Sequence, residues 1–256
     1  MILAIDIGNT NIVLGCIEGK EILREARMAT DVIKTSDQYC AELKAMLDLL
    51  EIKVSMIEGT IISSVVPPVL NSFKTAIIKL TGSTPLVVGP GIKTGLNILI
   101  DNPAMVGGDL IVGAVAALAE YQPPLLVIDM GTATTMIAID AKGSFLGGSI
   151  FPGVKISAEA LAGKTAQLPA ISLEAPQKAI GRNTIDCMRS GLMMGTAAML
   201  DGMVQRMEEE LGSRATVVAT GGIARFVLPM CRRGMVYDKD LLLKGLRIIY
   251  ENNRRK

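Results

Sequence analysis

Leu3-Ala4-Ile5-Asp6-Ile7-Gly8-Asn9-Thr10-Asn11-Ile12-Val13, near the start of the chain, has a counterpart past its midpoint. That counterpart is Val127-Ile128-Asp129-Met130-Gly131-Thr132-Ala133-Thr134-Thr135. In both, an apolar run ends in Asp-x-Gly, small polar residues follow, and a second apolar run begins. Short continuous apolar runs bounded by turn residues read as buried strands. Each stretch therefore reads as strand, tight turn and returning strand: Met1–Ile7 with Asn11–Ile17, and Leu125–Ile128 with Thr135–Ile139. The two motifs lie about half a chain length apart in 256 residues. A repeated supersecondary unit of this kind implies a duplicated α/β architecture. The expected halves are residues 1–120 and 121–256, with a ligand cleft between them.

The flanking segments fit the same plan. A third strand is expected at Glu21–Met28 in one half and Ser144–Ile150 in the other. Thr35-Ser36-Asp37-Gln38 matches a capping box, and Tyr39, Leu43, Met46, Leu47 and Leu50 recur at helical spacing. Thr60–Val65 reads as a strand closed by Pro67-Pro68, followed by a helix over 69–80 and a strand at Pro85–Val88. Residues 89–108 are rich in Gly, Pro and Asn and read as irregular, and 109–120 as a helix of small residues. In the second half, Thr184–Leu211 reads as one helix of about 28 residues, and Thr216–Ala219 as a late strand. Gly191 and Gly195 on that helix would permit close helix packing or a dimer contact. The segment Asn252–Lys256, basic through Arg254, Arg255 and Lys256, reads as a solvated tail.

Composition narrows the chemistry. The chain is 50% apolar but only 3% aromatic, with no Trp and 15 Met, so aliphatic side chains and Met must build the core. Net charge is +1, which gives no global field for nucleic acid or membrane. The opening residues lack a basic n-region, and no apolar run reaches the length of a membrane span. Cys16, Cys40, Cys187 and Cys231 are too scattered for a metal knuckle and fit reduced thiols in a cytoplasm. There is no His. Acid–base work must then fall mainly to carboxylates.

Four constellations carry the expected chemistry. At Asp6-Ile7-Gly8-Asn9-Thr10-Asn11, a strand-ending Asp suits Mg²⁺ held through waters, and the glycine and turn amides suit phosphate oxygens. Asp129-x-Gly131-Thr132 adds hydroxyl donors in the second half, and the two turns would grip one triphosphate. Thr220-Gly221-Gly222 follows an apolar strand and could let a flat ring such as adenine lie against the backbone. Gly107-Gly108-Asp109 places an acid at a helix start, where it is an N-cap, a catalytic base, or both.

Ten ordered motifs resemble the type III pantothenate kinases from residue 1 to about 253. They include Asp6-x-Gly-Asn-Thr10, Ser63-Ser-Val-Val-Pro-Pro68, Gly89-Pro-Gly-Ile-Lys-Thr-Gly-Leu-Asn97, Asp101-Asn-Pro103, Gly107-x-Asp109 and Asp129-x-Gly-Thr-Ala-Thr-Thr135. The others are Gly147-Gly-x-Ile-x-Pro-Gly153, Gly181-x-Asn-Thr184, Ala219-Thr-Gly-Gly222 and Leu243-Lys-Gly-Leu246.

The resemblance implies the duplicated ribonuclease H-like fold of actin, Hsp70 and the sugar kinases. It implies transfer of a phosphoryl group from ATP to pantothenate, the first step toward coenzyme A, in a cytoplasmic homodimer. Asp6, Ile7, Gly8, Asn9, Thr10, Asn11, Ile12 and Val13 would hold ATP phosphates and Mg²⁺. Thr132 would contact ATP, with Gly221 and Gly222 on the nucleotide side. Asp109 would be the base, and Asp129 would bind a monovalent cation, K⁺ or NH₄⁺. Gly107, Gly108, Asp109, Leu110, Thr184 and Ile100 would contact pantothenate. Two positions depart from the family pattern: Leu110 stands where Arg is usual, and Ile100 where Tyr is usual. Those departures motivate two alternatives, a regulatory relative like the Bvg accessory factors and a kinase for another small hydroxyl substrate.

Overall fold

The structure, a computed structural model, describes residues 1–254. They divide into two compact units. Unit 1 holds residues 1–96, 101–119 and 240–254; unit 2 holds 97–100 and 120–239.

Unit 1 begins with three antiparallel strands, β1 (Ile2–Ile7), β2 (Asn11–Glu18) and β3 (Glu21–Ala29). Helix α1 (Ser36–Leu49) follows behind the expected capping box. The Thr35 hydroxyl accepts from the Gln38 amide, and the Gln38 side chain reaches back to the Thr35 amide. Strand β4 (Gly59–Ser64) pairs parallel with β1. The two prolines do not close this strand. They open helix α2 (Pro67–Thr81), because a first-turn amide has no partner inside its helix, so proline loses nothing there. Strand β5 (Leu86–Val87) completes the order β3-β2-β1-β4-β5.

One face of this sheet, with Leu3, Ile5, Ile7, Ile12, Leu14 and Ile62, packs on α1 and α2. Tyr39 and Phe73 meet edge-on there, ring centres 5.1 Å apart.

Residues 89–108 are not wholly irregular: Asn97–Ile98 form β6, which joins the second sheet by pairing with Ser144–Phe145. Helix α3 (Gly108–Glu120) then buries Ile111 and Val112 with a run of small residues, Gly113, Ala114, Ala116 and Ala117.

Unit 2 repeats the plan. Strands β7 (Leu125–Met130), β8 (Ala133–Ile139) and β9 (Ser144–Pro152) are antiparallel, and β10 (Thr216–Thr220) lies parallel to β7. Helix α4 (Val154–Lys164) follows β9. The expected 28-residue helix runs without a break from Thr184 to Leu211, but not as one uniform α-helix. It comprises α5 (Thr184–Arg189), a π-helical turn at Ser190–Met194, and α6 (Gly195–Leu211). A side chain on Gly191 or Gly195 would meet nothing within 4 Å, so these glycines serve no close packing within the described residues. Helix α7 (Ala224–Val227) and strand β11 (Val236–Tyr237) complete the unit.

The sheet order is β11-β10-β7-β8-β9-β6. Read as β9-β8-β7-β10-β11, with β6 added at one edge, it has the order and strand senses of the first sheet. The fold is the duplicated ribonuclease H-like arrangement. Its second core holds Leu126, Ile128, Met130, Met136, Met193, Leu200 and Val204, so Met fills the space aromatics would otherwise take.

The last element, α8 (Leu241–Arg254), corrects the expected solvated tail as far as Arg254; Arg255 and Lys256 lie outside the described residues. Asn253 pairs through its side-chain amide with both backbone groups of Lys93, at 3.1 and 2.9 Å, and Arg254 reaches Glu58 at 3.1 Å. The helix returns to unit 1 and covers the sheet face opposite α1 and α2. Glycines allow this approach: a Cβ on Gly15 would stand 2.8 Å from Leu243, and one on Gly245 would stand 2.1 Å from the Val112 carbonyl oxygen of α3. Gly245→Ala is therefore expected to cost about 1–3 kcal/mol, despite alanine's better helix propensity. A urea midpoint matching wild type would contradict this.

Candidate functional site

In unit 1 the first Asp-Gly turn ends β1 and is pinned from β3. The Gly8 amide donates to the Asn11 carbonyl (3.0 Å), the Thr30 hydroxyl donates to the Gly8 carbonyl (2.6 Å), and the Thr30 amide donates to the Thr10 carbonyl (3.0 Å). Thr30 belongs to no motif, and its role was not legible in the sequence. Ile7 and Ile12 are buried in the α1/α2 core, so only their backbone can serve a ligand, whereas Asn9, Thr10 and Asn11 are exposed.

Asp6 is half-buried and lies in register with Val13 of β2 and Ser63 of β4. Register partners project from the same sheet face. On that face, α3 starts against the end of β4: a Cβ on Gly108 would be 3.3 Å from the Ser63 Oγ. The corner thus gathers a strand-ending carboxylate, a hydroxyl and a helix N-terminus at the carboxyl ends of parallel strands. Open α/β sheets place their ligands at such ends.

Asp109 is not the N-cap of α3 but lies inside its first turn. Its Oδ1 accepts from the Leu110 amide at 2.9 Å. Gly107 makes room for this carboxylate, since a Cβ there would fall 2.5 Å from the same oxygen. Burial pushes the Asp109 carboxyl above the usual carboxylate range, and hydrogen bonds from backbone amides partly oppose that rise. A carboxylate more basic than usual, at a helix start that favours anions, is suited to take a proton beside a phosphate.

In unit 2 the second Asp-Gly turn is one residue tighter. Two residues, Gly131 and Thr132, separate β7 from β8, where Gly8, Asn9 and Thr10 separate β1 from β2, and the Gly131 amide donates to the Ala133 carbonyl at 3.0 Å. Two further turns press on it. Gly221 has φ +95°, and a Cβ there would be 2.5 Å from the Met130 carbonyl oxygen and 2.7 Å from the Asp129 Oδ1. Gly153 donates its amide to the Thr132 carbonyl at 3.1 Å, and a Cβ there would be 2.3 Å from the same oxygen. The need for glycine at 221 is therefore met by the Asp129 turn itself, without a ligand. Carboxylate and carbonyl oxygens crowd this turn, the donor type that alkali cations take.

The remaining expected residues are more dispersed. Thr184 is exposed at the start of α5, behind Asn183, whose Oδ1 accepts from the Asp186 amide at 2.9 Å. Ile100 packs within 3.7 Å of a Cβ built on Gly147, in unit 2, whereas Leu110 belongs to unit 1. Arg189 is engaged with Ser172 and Glu174, while Arg182 is exposed.

Among the described residues, no three His, Cys, Asp or Glu side chains cluster to cage a metal. Mg²⁺ needs no such cage, because it takes one or two carboxylates together with substrate phosphates and water. The Asp6 carboxylate and the Ser63 hydroxyl, which lacks a hydrogen-bond partner, fit that mode.

The family model for type III pantothenate kinase matches residues 2–206. A type III pantothenate kinase of Exiguobacterium sibiricum is 49% identical over 99% of this chain and 100% of its own length. That of Moorella thermoacetica is 44% identical over 99% and 100%. Solved structures share the fold at low identity. The activator of the 2-hydroxyisocaproyl-CoA dehydratase from Clostridium difficile, with bound ADPNP, superposes with a TM-score of 0.57 at 12% identity. It covers 100% of this chain and 97% of its own. The inorganic polyphosphate/ATP-glucomannokinase of Arthrobacter gives 0.52 at 14%, covering 100% and 99%. With the family model across most of its length and near-half identity to full-length relatives, the chain belongs to the type III pantothenate kinases.

Proposed function

We propose that the protein phosphorylates pantothenate with ATP to give 4′-phosphopantothenate, the first step toward coenzyme A. Family membership supports the substrate, and one observation carries the chemistry: a carboxylate of raised basicity, Asp109, at the start of α3 beside the β1–β4 strand ends. In this reading the Asp109 carboxylate takes the proton from the primary hydroxyl of pantothenate as that oxygen attacks the γ-phosphorus. The bond between γ-phosphorus and the bridging oxygen breaks, and ADP leaves. Mg²⁺ supplies charge neutralisation at the phosphates.

Asp6 and the backbone from Ile7 to Val13 hold the phosphates and metal, and Thr132 meets ATP. Asp129, among the carbonyls of its turn, holds K⁺ or NH₄⁺. Gly107, Gly108, Leu110, Ile100 and Thr184 line the pantothenate, and the exposed Arg182 or Lys164 offers its carboxylate a charge.

The functional halves in this reading remain 1–120 and 121–256. The working form is a cytoplasmic homodimer. In support, unit 2 exposes Ile150, Ile180 and Ile185, and no described helix is long and apolar enough to cross a membrane.

The test is ADP release from MgATP in K⁺ buffer, with and without pantothenate. Release is expected to require pantothenate and to fall when Na⁺ replaces K⁺. ATP binding without pantothenate-dependent release would instead favour a regulatory relative or a different hydroxyl substrate, as Leu110 and Ile100 suggest.

A further inference from the structure

Ser63 is fully buried, and its hydroxyl has no hydrogen-bond partner. Its neighbour behaves differently: the Ser64 hydroxyl accepts from the Val66 amide at 3.1 Å and so shapes the entry into α2. A buried hydroxyl left unpaired weakens a fold, and alanine would fill the same space without that cost. The position of Ser63 is informative. It stands in register with Asp6 on the same sheet face, one residue before the end of β4, and its Oγ lies under the first turn of α3 at Gly108. Helix-start amides favour an anion at that place, and a carboxylate there favours a cation.

We propose that Ser63 is a further positioning residue of the phosphoryl-transfer site, donating its hydroxyl hydrogen to an oxygen that arrives with the Mg–nucleotide complex. Rotation about the single Cα–Cβ bond can move the hydroxyl among three staggered positions. The acceptor is either a phosphate oxygen or a water in the metal's shell. Both are oxygens made strongly accepting by neighbouring charge, and both occur only with bound nucleotide. The inference rests on the reading that the Asp6 corner receives the nucleotide phosphates.

Strand β4 supplies its own control. Thr60 is also buried with an unpartnered hydroxyl, but it shares the face of Ile62 toward α1 and α2, away from the corner.

The experiment compares wild type, Ser63→Ala, Ser63→Cys and Thr60→Val. Calorimetric binding of the non-hydrolysable analogue AMPPNP is measured with Mg²⁺ and with EDTA, alongside ligand-free melting temperature, kcat and the KM for pantothenate. Ser63→Ala is expected to melt no lower than wild type, to bind Mg–AMPPNP roughly tenfold or more weakly, and to lose kcat with little change in the pantothenate KM. That is the share one hydrogen bond to a charged oxygen supplies. Ser63→Cys, of similar size with a weaker donor, is expected to fall between the two.

A loss confined to Mg²⁺ conditions would identify the acceptor as metal-bound water, and a loss in both conditions as the phosphate itself. Thr60→Val is expected to leave binding and turnover unchanged. Equal binding and turnover in wild type and Ser63→Ala would overturn the proposal, as would an equal loss in Thr60→Val. Failure of wild type to bind Mg–AMPPNP would instead overturn the nucleotide reading of the corner, and the role of Ser63 with it.

Discussion

Asp109→Asn is expected to lower turnover by roughly 10²–10⁴-fold, the span a positioned general base supplies, while nucleotide binding is largely retained. The same substitution is expected to raise the melting temperature at pH 7. Burial lifts the Asp109 carboxyl above its ordinary value of 3.8, so the folded protein holds this proton more tightly than the unfolded chain does. The stability linked to it is present below the unfolded value and lost as pH rises through the raised folded value. At neutral pH the wild type therefore carries a buried charge at a cost to its fold, and asparagine does not. The gain is expected to be about 0.5–2 kcal/mol, the usual size of such a trade between activity and stability. It should shrink as the pH falls toward the ordinary carboxylate range. Full turnover in the variant would remove Asp109 from the role of base. An inactive variant that melts lower at pH 7 would mean the carboxylate is held by its helix rather than strained by burial.

Gly221→Ala is expected to be strongly damaging at the Asp129 turn, because it combines backbone strain with overpacking. At φ +95° an L-residue is strained by about 1 kcal/mol or more. The added carbon would also fall 2.5 Å from the Met130 carbonyl oxygen and 2.7 Å from the Asp129 Oδ1. The carbonyl belongs to the ladder of β7 and cannot turn aside as a flexible side chain could. Strain and overpacking together are expected to cost about 2–4 kcal/mol, a large part of a domain's typical stability of about 5–15 kcal/mol. Gly212→Ala is the matched comparison, because Gly212 also has a positive φ (+67°) but open space where the methyl would go. It should cost only about 1 kcal/mol. Equal denaturant midpoints for the two variants would show that the Asp129 turn can move aside.

The duplicated sheet was legible because strands buried on both faces leave unbroken apolar runs, and Asp6 and Asp129 mark the same place in each. Helix ends were legible where side chains cap locally, as at Thr35. What failed depends on contacts far apart in sequence. Pro67-Pro68 ends a strand or begins a helix equally well by composition, and only the packing of α2, through Phe73, on Tyr39 of α1 and its neighbours decides. Asn97–Ile98 has no strand signature of its own and is a strand because β9 offers it an edge. The α8 segment reads as a polar tail at Asn252–Arg254, since nothing local announces that Asn253 pairs with Lys93 or Arg254 with Glu58. At the candidate site, the motif carboxylates and glycines could be picked out from the chain alone. The roles of Ser63 and Thr30 could not, because they lie in strand register and in hydrogen bonds from Thr30, just past β3, to Gly8 and Thr10.

The return of α8 to unit 1 bears on how the chain is made. On the ribosome, domains generally fold in the order in which they emerge. Here the segment that covers the β1–β4 face, with Leu243 filling the space above Gly15, is synthesised after the whole of unit 2. All of unit 2 leaves the exit tunnel before unit 1 can close, so the nascent N-terminal sheet waits with one apolar face uncovered while about half the protein is translated.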